Sequence, residues 1–377
     1  MTDNYNQLET RIFGPLKYIA GYGILEKAGY FGSFLGKKAL IVASKSSMTA
    51  ALDPLTKSLD QSHINWDTYL FTGFPSRREA QKIADRVQSG GFDFLIGAGG
   101  GRVIDVTKYA ADLAGRRLIL VPTISATNAS LRVNSIEYDD NYRHTRIQKN
   151  RLPACFTLAD LKILSSQPVR YLESGILDTL VRYIEMRPYL DVYKDDLNTK
   201  VSYAIIHEAY QFLLSHAHEY LDDLRNHRPT KALTEAIHCV IGVCSLSANY
   251  TSADSHFGGL AHATYYGFTQ SRENHNLLHG EVIGFGIITQ LFALGYPLEE
   301  IKKEYDNLRL FDFDYSLKDC GIETEEELDK AVDFIWNVRI PKIAFLHPEG
   351  PEKIREAIVS ADAFILNERR KRNETSL

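Results

Sequence analysis

The chain has 377 residues but only four cysteines, Cys155, Cys239, Cys244 and Cys320, and no two of them form a CxxC pair. So few thiols in so long a chain read as a reduced, intracellular protein without a disulfide framework. Any metal here must then be held by histidine and carboxylate, since no thiolate cluster is available. An excess of charge is missing too. Lys and Arg number 43 against 48 Asp and Glu, a formal net charge of −5, a poor match for a dedicated nucleic-acid binder. Long apolar runs are scarce. The stretch Val282–Leu298 is interrupted by Thr289, Gln290 and Pro297, so a buried helix is expected there and not a membrane span. The opening Met1-Thr-Asp-Asn-Tyr-Asn lacks the basic-then-apolar order of a signal peptide. No internal repeat or low-complexity linker is present. The expectation is a cytoplasmic protein that works on neither nucleic acid nor membrane.

What is present is ordinary for a globular protein, with 44% hydrophobic and 24% charged residues. At about 100–200 residues per domain, the length predicts two domains, or three. Short apolar runs at Ala39–Ala43, Trp66–Phe71, Phe92–Ile96 and Leu118–Val121 read as strands. A charged helical stretch covers Arg77–Gln88. Runs this apolar suit strands covered on both faces, hence a mostly parallel sheet. After about Lys162 the pattern turns helical. Leu172, Ile176, Leu180 and Tyr183 recur at helical spacing around Asp178, and Ile237–Ala253 and Val282–Phe292 read as buried helices. The acidic Asp319–Asp333 segment and the Arg369–Arg372 run read as solvated surface. The expected fold is an α/β domain with a mostly parallel sheet over residues 1–162. An all-α domain over 163–377 follows it, with a cleft between the two.

Two features carry chemistry. Gly97-Ala-Gly-Gly-Gly-Arg-Val-Ile-Asp105 follows a strand and opens a helix, where bare backbone N–H groups can meet a pyrophosphate. As GxGxxG the match fails at Arg102, and a tight strand-to-helix turn explains the glycines equally well. Gly-Gly-Gly-x-x-x-Asp105-x-x-Lys108 is the less usual signal. The second feature is His262 and His279, each beside small residues in apolar surroundings. Either alone reads as a hydrogen-bonded core histidine. With Asp178, itself open to reading as an ion-pair partner, they offer two imidazoles and a carboxylate, the donor set of a catalytic zinc or ferrous site with open positions.

Taken in order, Gly99-Gly-Gly-x-x-x-Asp105-x-x-Lys108, Val121-Pro-Thr123-Ile-Ser-Ala-Thr127, Gly175-Ile-Leu-Asp178, His262-x-x-x-x-Gly267 and His279-Gly-Glu281 resemble the iron-containing (group III) alcohol dehydrogenase superfamily. The resemblance is to its glycerol dehydrogenase-like branch, nearer the hydroxycarboxylate dehydrogenase relatives, with a dehydroquinate synthase-like architecture. It implies NAD or NADP in the first domain and one divalent metal, zinc or iron, on Asp178, His262 and His279. Gly99, Gly100, Gly101 and Asp105 would cradle the pyrophosphate, and Thr123 and Thr127 would line the nicotinamide end. The implied activity is hydride transfer between the nicotinamide and a small alcohol or carbonyl, a 2-hydroxy or 2-oxo acid or a small polyol, in a homo-oligomer.

The sequence departs from that pattern at several places. Asn128 stands where glycerol dehydrogenases typically have an aspartate for substrate hydroxyls. Arg132, four residues on, either pairs with a substrate carboxylate or faces solvent on a hairpin. Tyr265 replaces a second histidine. Ser44 and Lys45 follow the first strand where the branch usually has an acidic residue, which leaves room for a 2′-phosphate. His275, one helical turn before His279, is a candidate proton relay. The rivals are glycerol dehydrogenase proper, a dehydroquinate synthase-like lyase, and a non-catalytic dinucleotide sensor.

Overall fold

In the computed structural model, residues 14–250, 258–271 and 277–375 are described. The strands are β1 (Lys17–Gly21), β2 (Lys38–Ala43), β3 (Asn65–Leu70), β4 (Phe94–Gly99), β5 (Arg117–Pro122), β6 (Ser135–Tyr138), β7 (His144–Gln148) and β8 (Phe156–Asp160). Six of them form one sheet in the order β1-β8-β5-β4-β2-β3, and every pairing in it is parallel. β6 and β7 form a separate antiparallel hairpin.

Helices α1 (Ala28–Ser33), α2 (Lys45–Gln61), α3 (Arg77–Gly90) and α4 (Gly101–Ala114) cover the sheet. Strand alternation decides which face each serves. Ala39 and Ile41 of β2 pack with Leu55 and Leu59 of α2, while Leu40 and Val42 pack with Ile83 of α3 and Val106 of α4. Both faces are therefore buried, as the unbroken apolar strands predicted. β2 connects outward to β3, and the chain then returns to place β4 on the other side of β2. That reversal opens a crevice at the carboxyl ends of β2 and β4, where open α/β sheets bind ligands.

The rest is helical: α5 (Leu161–Leu164), α6 (Val169–Val192), α7 (Leu197–Ser215), α8 (Ala217–Arg225), α9 (Lys231–His238), α10 (Cys244–Tyr250), α11 (Leu260–Phe268), α12 (His279–Ala293), α13 (Leu298–Arg309), α14 (Glu325–Phe334) and α15 (Pro351–Thr375). The apolar run from Val282 is α12, packed on α6 and α11 and buried nearly throughout. The expected single helix over Ile237–Ala253 is broken. A π-turn at Cys239–Val243 separates α9 from α10, and residues 251–253 lie outside the described region. Among the described residues, one segment, Lys231–Tyr250, is long and apolar enough to cross a bilayer. Its Leu233, Ile237 and Ile241 lie in the helical core. The acidic and basic surface segments also meet each other: Arg369 pairs with Asp319, and Arg372 with Asp314.

Candidate active site and metal centre

The glycine-loop end of the candidate site is made of backbone. α2 and α3 are capped by serine, with Ser44 Oγ accepting from the Ser47 N–H and Ser76 Oγ from the Glu79 N–H. α4 starts from Gly100 with no side-chain cap, so its first N–H groups remain for a ligand anion. There is no room for side chains on this loop. A Cβ on Gly100 would lie 2.7 Å from Ile124 Cδ1, and one on Gly101 would lie 3.1 Å from Thr127 Oγ1. Ser44 and Lys45 stand at the start of α2 across the same crevice. Thr123 is buried, and its N–H donates to the Gly99 carbonyl at 3.2 Å. An uncapped helix start lined by glycine at a switch point fits a dinucleotide pyrophosphate.

Asp105 is placed differently from the other residues expected there. Its carboxylate is buried 2.8 Å from Lys108 Nζ and accepts from the Ile136 N–H. Lys108 in turn donates to the carbonyls of Ala129, Arg132 and Asn134. The Asp-x-x-Lys spacing thus builds an internal ion pair that fixes the loop from β5 to β6. A carboxylate aimed at a pyrophosphate would repel it.

The candidate metal centre is made of side chains on three helices. Asp178 of α6, His262 of α11 and His279 of α12 place their ligand atoms within 4.8 Å of one another. Nε2 of His279 lies 3.3 Å, and Nε2 of His262 3.5 Å, from the same oxygen, Asp178 Oδ1. That is long for a charge-assisted hydrogen bond, normally about 2.7–2.9 Å. It matches the edge of a tetrahedron with bonds of about 2.0–2.1 Å to a central cation. Burial alone would raise the Asp178 carboxyl, but His279 and His262 outweigh it and hold it well below the ordinary carboxylate range. Burial likewise works against a charged His262, yet Glu185 and Asp178 raise it to about 9. The pocket is built to hold positive charge.

Close approach makes the convergence possible. The Gly280 N–H bonds Ser174 Oγ at 3.1 Å, and a Cβ on Gly280 would fall 1.9 Å from the Ser174 carbonyl oxygen, one turn before Asp178. Only glycine lets α12 start against α6. Glu281 accepts from the Leu278 N–H at 2.7 Å and is gripped by Arg170 at 2.5 and 2.8 Å. His279 is therefore braced from both sides in the chain.

Glu185 is the residue the sequence reading missed. It lies two turns beyond Asp178 on α6, is buried, and accepts from the His262 N–H at 3.0 Å and from Nδ1 at 2.8 Å. This leaves Nε2 as the free lone pair. The signal available was a second acidic residue seven positions on in a largely apolar helix.

Tyr265 puts its ring edge-on to His279, centroids 4.3 Å apart, and its hydroxyl 3.0 Å from that of Tyr138. Asn128 donates to Cys244 Sγ at 3.0 Å. Arg132 does not face solvent. It is half-buried, with NH1 2.8 Å from Asn249 Oδ1. His275 lies outside the described residues.

Residues 15–160 match the model of the family described as iron-containing alcohol dehydrogenase. The chain is 26% identical to a glycolaldehyde reductase of Halobacterium salinarum, over 94% of this chain and 97% of the relative. It is also 26% identical to a glycerol dehydrogenase of Escherichia coli, over 77% and 79%. The fold superposes on the crystal structure of glycerol dehydrogenase from Schizosaccharomyces pombe with a TM-score of 0.85 at 20% identity, covering 97% of this chain and 94% of that one. The family match and these relatives together support the iron-containing alcohol dehydrogenase superfamily, in its glycerol dehydrogenase-like branch. Members use NAD(P) and a divalent metal, iron or zinc. Enzymes of this family act on small-molecule substrates, and the donor set and the glycine cradle of this chain fit the two groups the family requires.

Proposed function

We infer that the protein transfers a hydride between NAD(P) and a small alcohol or its carbonyl, a 2-hydroxy or 2-oxo acid or a small polyol. The carrying observation is the convergence of Asp178, His262 and His279 with Glu185 behind. In this reading those three hold the metal, and the division between cofactor and metal domains falls near Lys162. A divalent cation there supplies Lewis acidity that lowers the pKa of an alcohol oxygen. Glu185 keeps the His262 Nε2 lone pair turned toward Asp178. Gly99, Gly100, Gly101 and the first turn of α4 receive the pyrophosphate. Asp105 acts from beneath, through Lys108, by fixing the loop that carries Asn128 and Arg132. Thr123 and Thr127 flank the nicotinamide end, and Gln167 anchors the loop between them through Ser125.

The reaction balances as alcohol and NAD(P)⁺ giving carbonyl, NAD(P)H and a proton. A nicotinamide held by the glycine loop would supply the acceptor for the carbinol hydride, and the hydroxyl proton would be released. His275 is assigned the relay of that proton on its sequence position. Ser44 and Lys45, with no carboxylate after β2, favour acceptance of a 2′-phosphate and hence NADP(H). The absence of any thiol framework supports a cytoplasmic setting, and a homo-oligomer is part of the same reading.

Elemental analysis of the purified protein, with turnover read by nicotinamide absorbance before and after chelation, tests this. One bound divalent ion and chelator-sensitive turnover are expected; full turnover in metal-free protein would refute it.

A further inference from the structure

Arg132 follows the 3₁₀ turn at Ala129–Leu131, where the sheet half meets α10. Its NH1 donates to Asn249 Oδ1 at 2.8 Å, and Asn249 is itself held by donating Nδ2 to the Leu131 carbonyl at 3.0 Å. That accounts for one of the five N–H donors of a guanidinium. Among the described residues Arg132 forms no ion pair. The charges that reach it include Arg182, a like charge one turn past Asp178 on α6, and Asp178 itself. Burial and then Arg182 push the guanidinium down to about 10. Asp178 does not neutralise it, because that carboxylate already faces His262 and His279. Arg132 is thus held in place by Asn249, partly desolvated and without an ion-pair partner, which is costly unless a ligand brings one. Asn128 adds no negative charge beside it, and its amide is turned to Cys244.

We propose that Arg132 recognises a substrate carboxylate, so that this dehydrogenase interconverts small 2-hydroxy acids and 2-oxo acids in preference to neutral polyols and hydroxyaldehydes. This rests on the metal-site reading above and narrows its substrate. A 2-hydroxy acid carries its reacting hydroxyl on the carbon next to the carboxylate. One such molecule spans the Asp178–His262–His279 centre and a guanidinium close enough to feel the Asp178 charge. The planar fork of arginine takes both carboxylate oxygens. In the forward direction the C2 hydrogen leaves with its electron pair to the nicotinamide and the hydroxyl proton is released. A 2-oxo acid, NAD(P)H and a proton result.

The test compares glyoxylate and 2-oxobutyrate with glycolaldehyde as substrates of the metal-loaded enzyme. Glyoxylate and glycolaldehyde differ chiefly in carboxylate against hydroxymethyl. Wild type is expected to favour the oxo acids in kcat/KM by at least about tenfold. Arg132→Leu is expected to lower the ratio of oxo-acid to aldehyde turnover by roughly 100-fold, mainly through KM. Arg132→Lys, which keeps the charge and loses the fork, should lower it less. Calorimetry with oxamate in the presence of cofactor gives a readout independent of turnover. Binding should be present in wild type and lost in Arg132→Leu at unchanged metal content. Equal oxamate affinity in the two proteins, a wild-type preference for glycolaldehyde, or an equal loss on all substrates in both variants would overturn the proposal. Absence of metal-dependent turnover on every substrate would count against the metal reading instead, and the oxamate titration would still decide Arg132.

Discussion

The two halves of the candidate site are built from different materials. At the sheet end, Gly99–Gly101 and the uncapped start of α4 offer backbone N–H groups, and side chains are kept away. At the helical end, Asp178, His262, His279 and Glu185 are side chains held in place by buried helix contacts. A backbone site has no single group to remove, so damage should come in by degrees as steric crowding. A side-chain site loses a ligand outright.

That contrast can be broken experimentally. The largest effect is expected from His262→Ala. Bound metal should be lost on elemental analysis, and kcat/KM should fall by about 10³ or more, since Lewis-acid stabilisation amounts to several kcal/mol. An unchanged metal content would remove the distinction between the two ends. Next comes Lys108→Met, which leaves Asp105 buried without its partner. A loss of about 3–5 kcal/mol is expected in urea unfolding, together with weaker cofactor binding as the 129–134 loop loosens. Glu185→Gln should keep the fold and weaken metal affinity by about 10–100-fold in chelator competition. A variant with wild-type affinity would make Glu185 a bystander. Gly101→Ala crowds Thr127 and should raise the cofactor KM by about tenfold, a change of about 1.4 kcal/mol. Smallest is Lys45→Ala. An exposed cation contributes about 1 kcal/mol or less, so the NADP(H) over NAD(H) preference should fall by about fivefold or less in paired kinetics.

Those differences also explain what could be read from the sequence. The edge strand β3, interrupted by Asp67 and Thr68, was marked by Trp66, Tyr69 and Leu70, whereas β2, β4 and β5 announced themselves because burial on both faces leaves apolar runs. β1 and β8 did not: they are short, and their pairing joins residues far apart in the chain, Lys17 with Phe156. The β6–β7 hairpin, with polar residues such as His144, Thr145 and Arg146, carries no apolar run to betray it. Asp178, His262 and His279 were readable as types in motifs, but their convergence depends on α12 starting against α6 at Gly280, which no spacing reveals. Asp105 and Lys108 were noticed as a pattern, and the structure shows them bonded to each other. Glu185 escaped because one more acid among the four of α6 declares no partner until the fold supplies His262.

The loop after β5 is stitched to the helical half by Asn128 to Cys244, Ser245 to the Asn128 carbonyl, Arg132 to Asn249 and Asn249 to the Leu131 carbonyl. Opening the cleft along that line means giving up all four. At about 1 kcal/mol net each, parting that row alone would occur in roughly one molecule in 10³. Dinucleotide exchange that waited on such a state would be slowed by that scarcity. Loosening the line, as in Asn249→Ala, is then expected to speed cofactor release in stopped-flow traces even as it slackens the aim of Arg132. On the Arg132 proposal, turnover rate and substrate choice would then be set against each other at one row of hydrogen bonds.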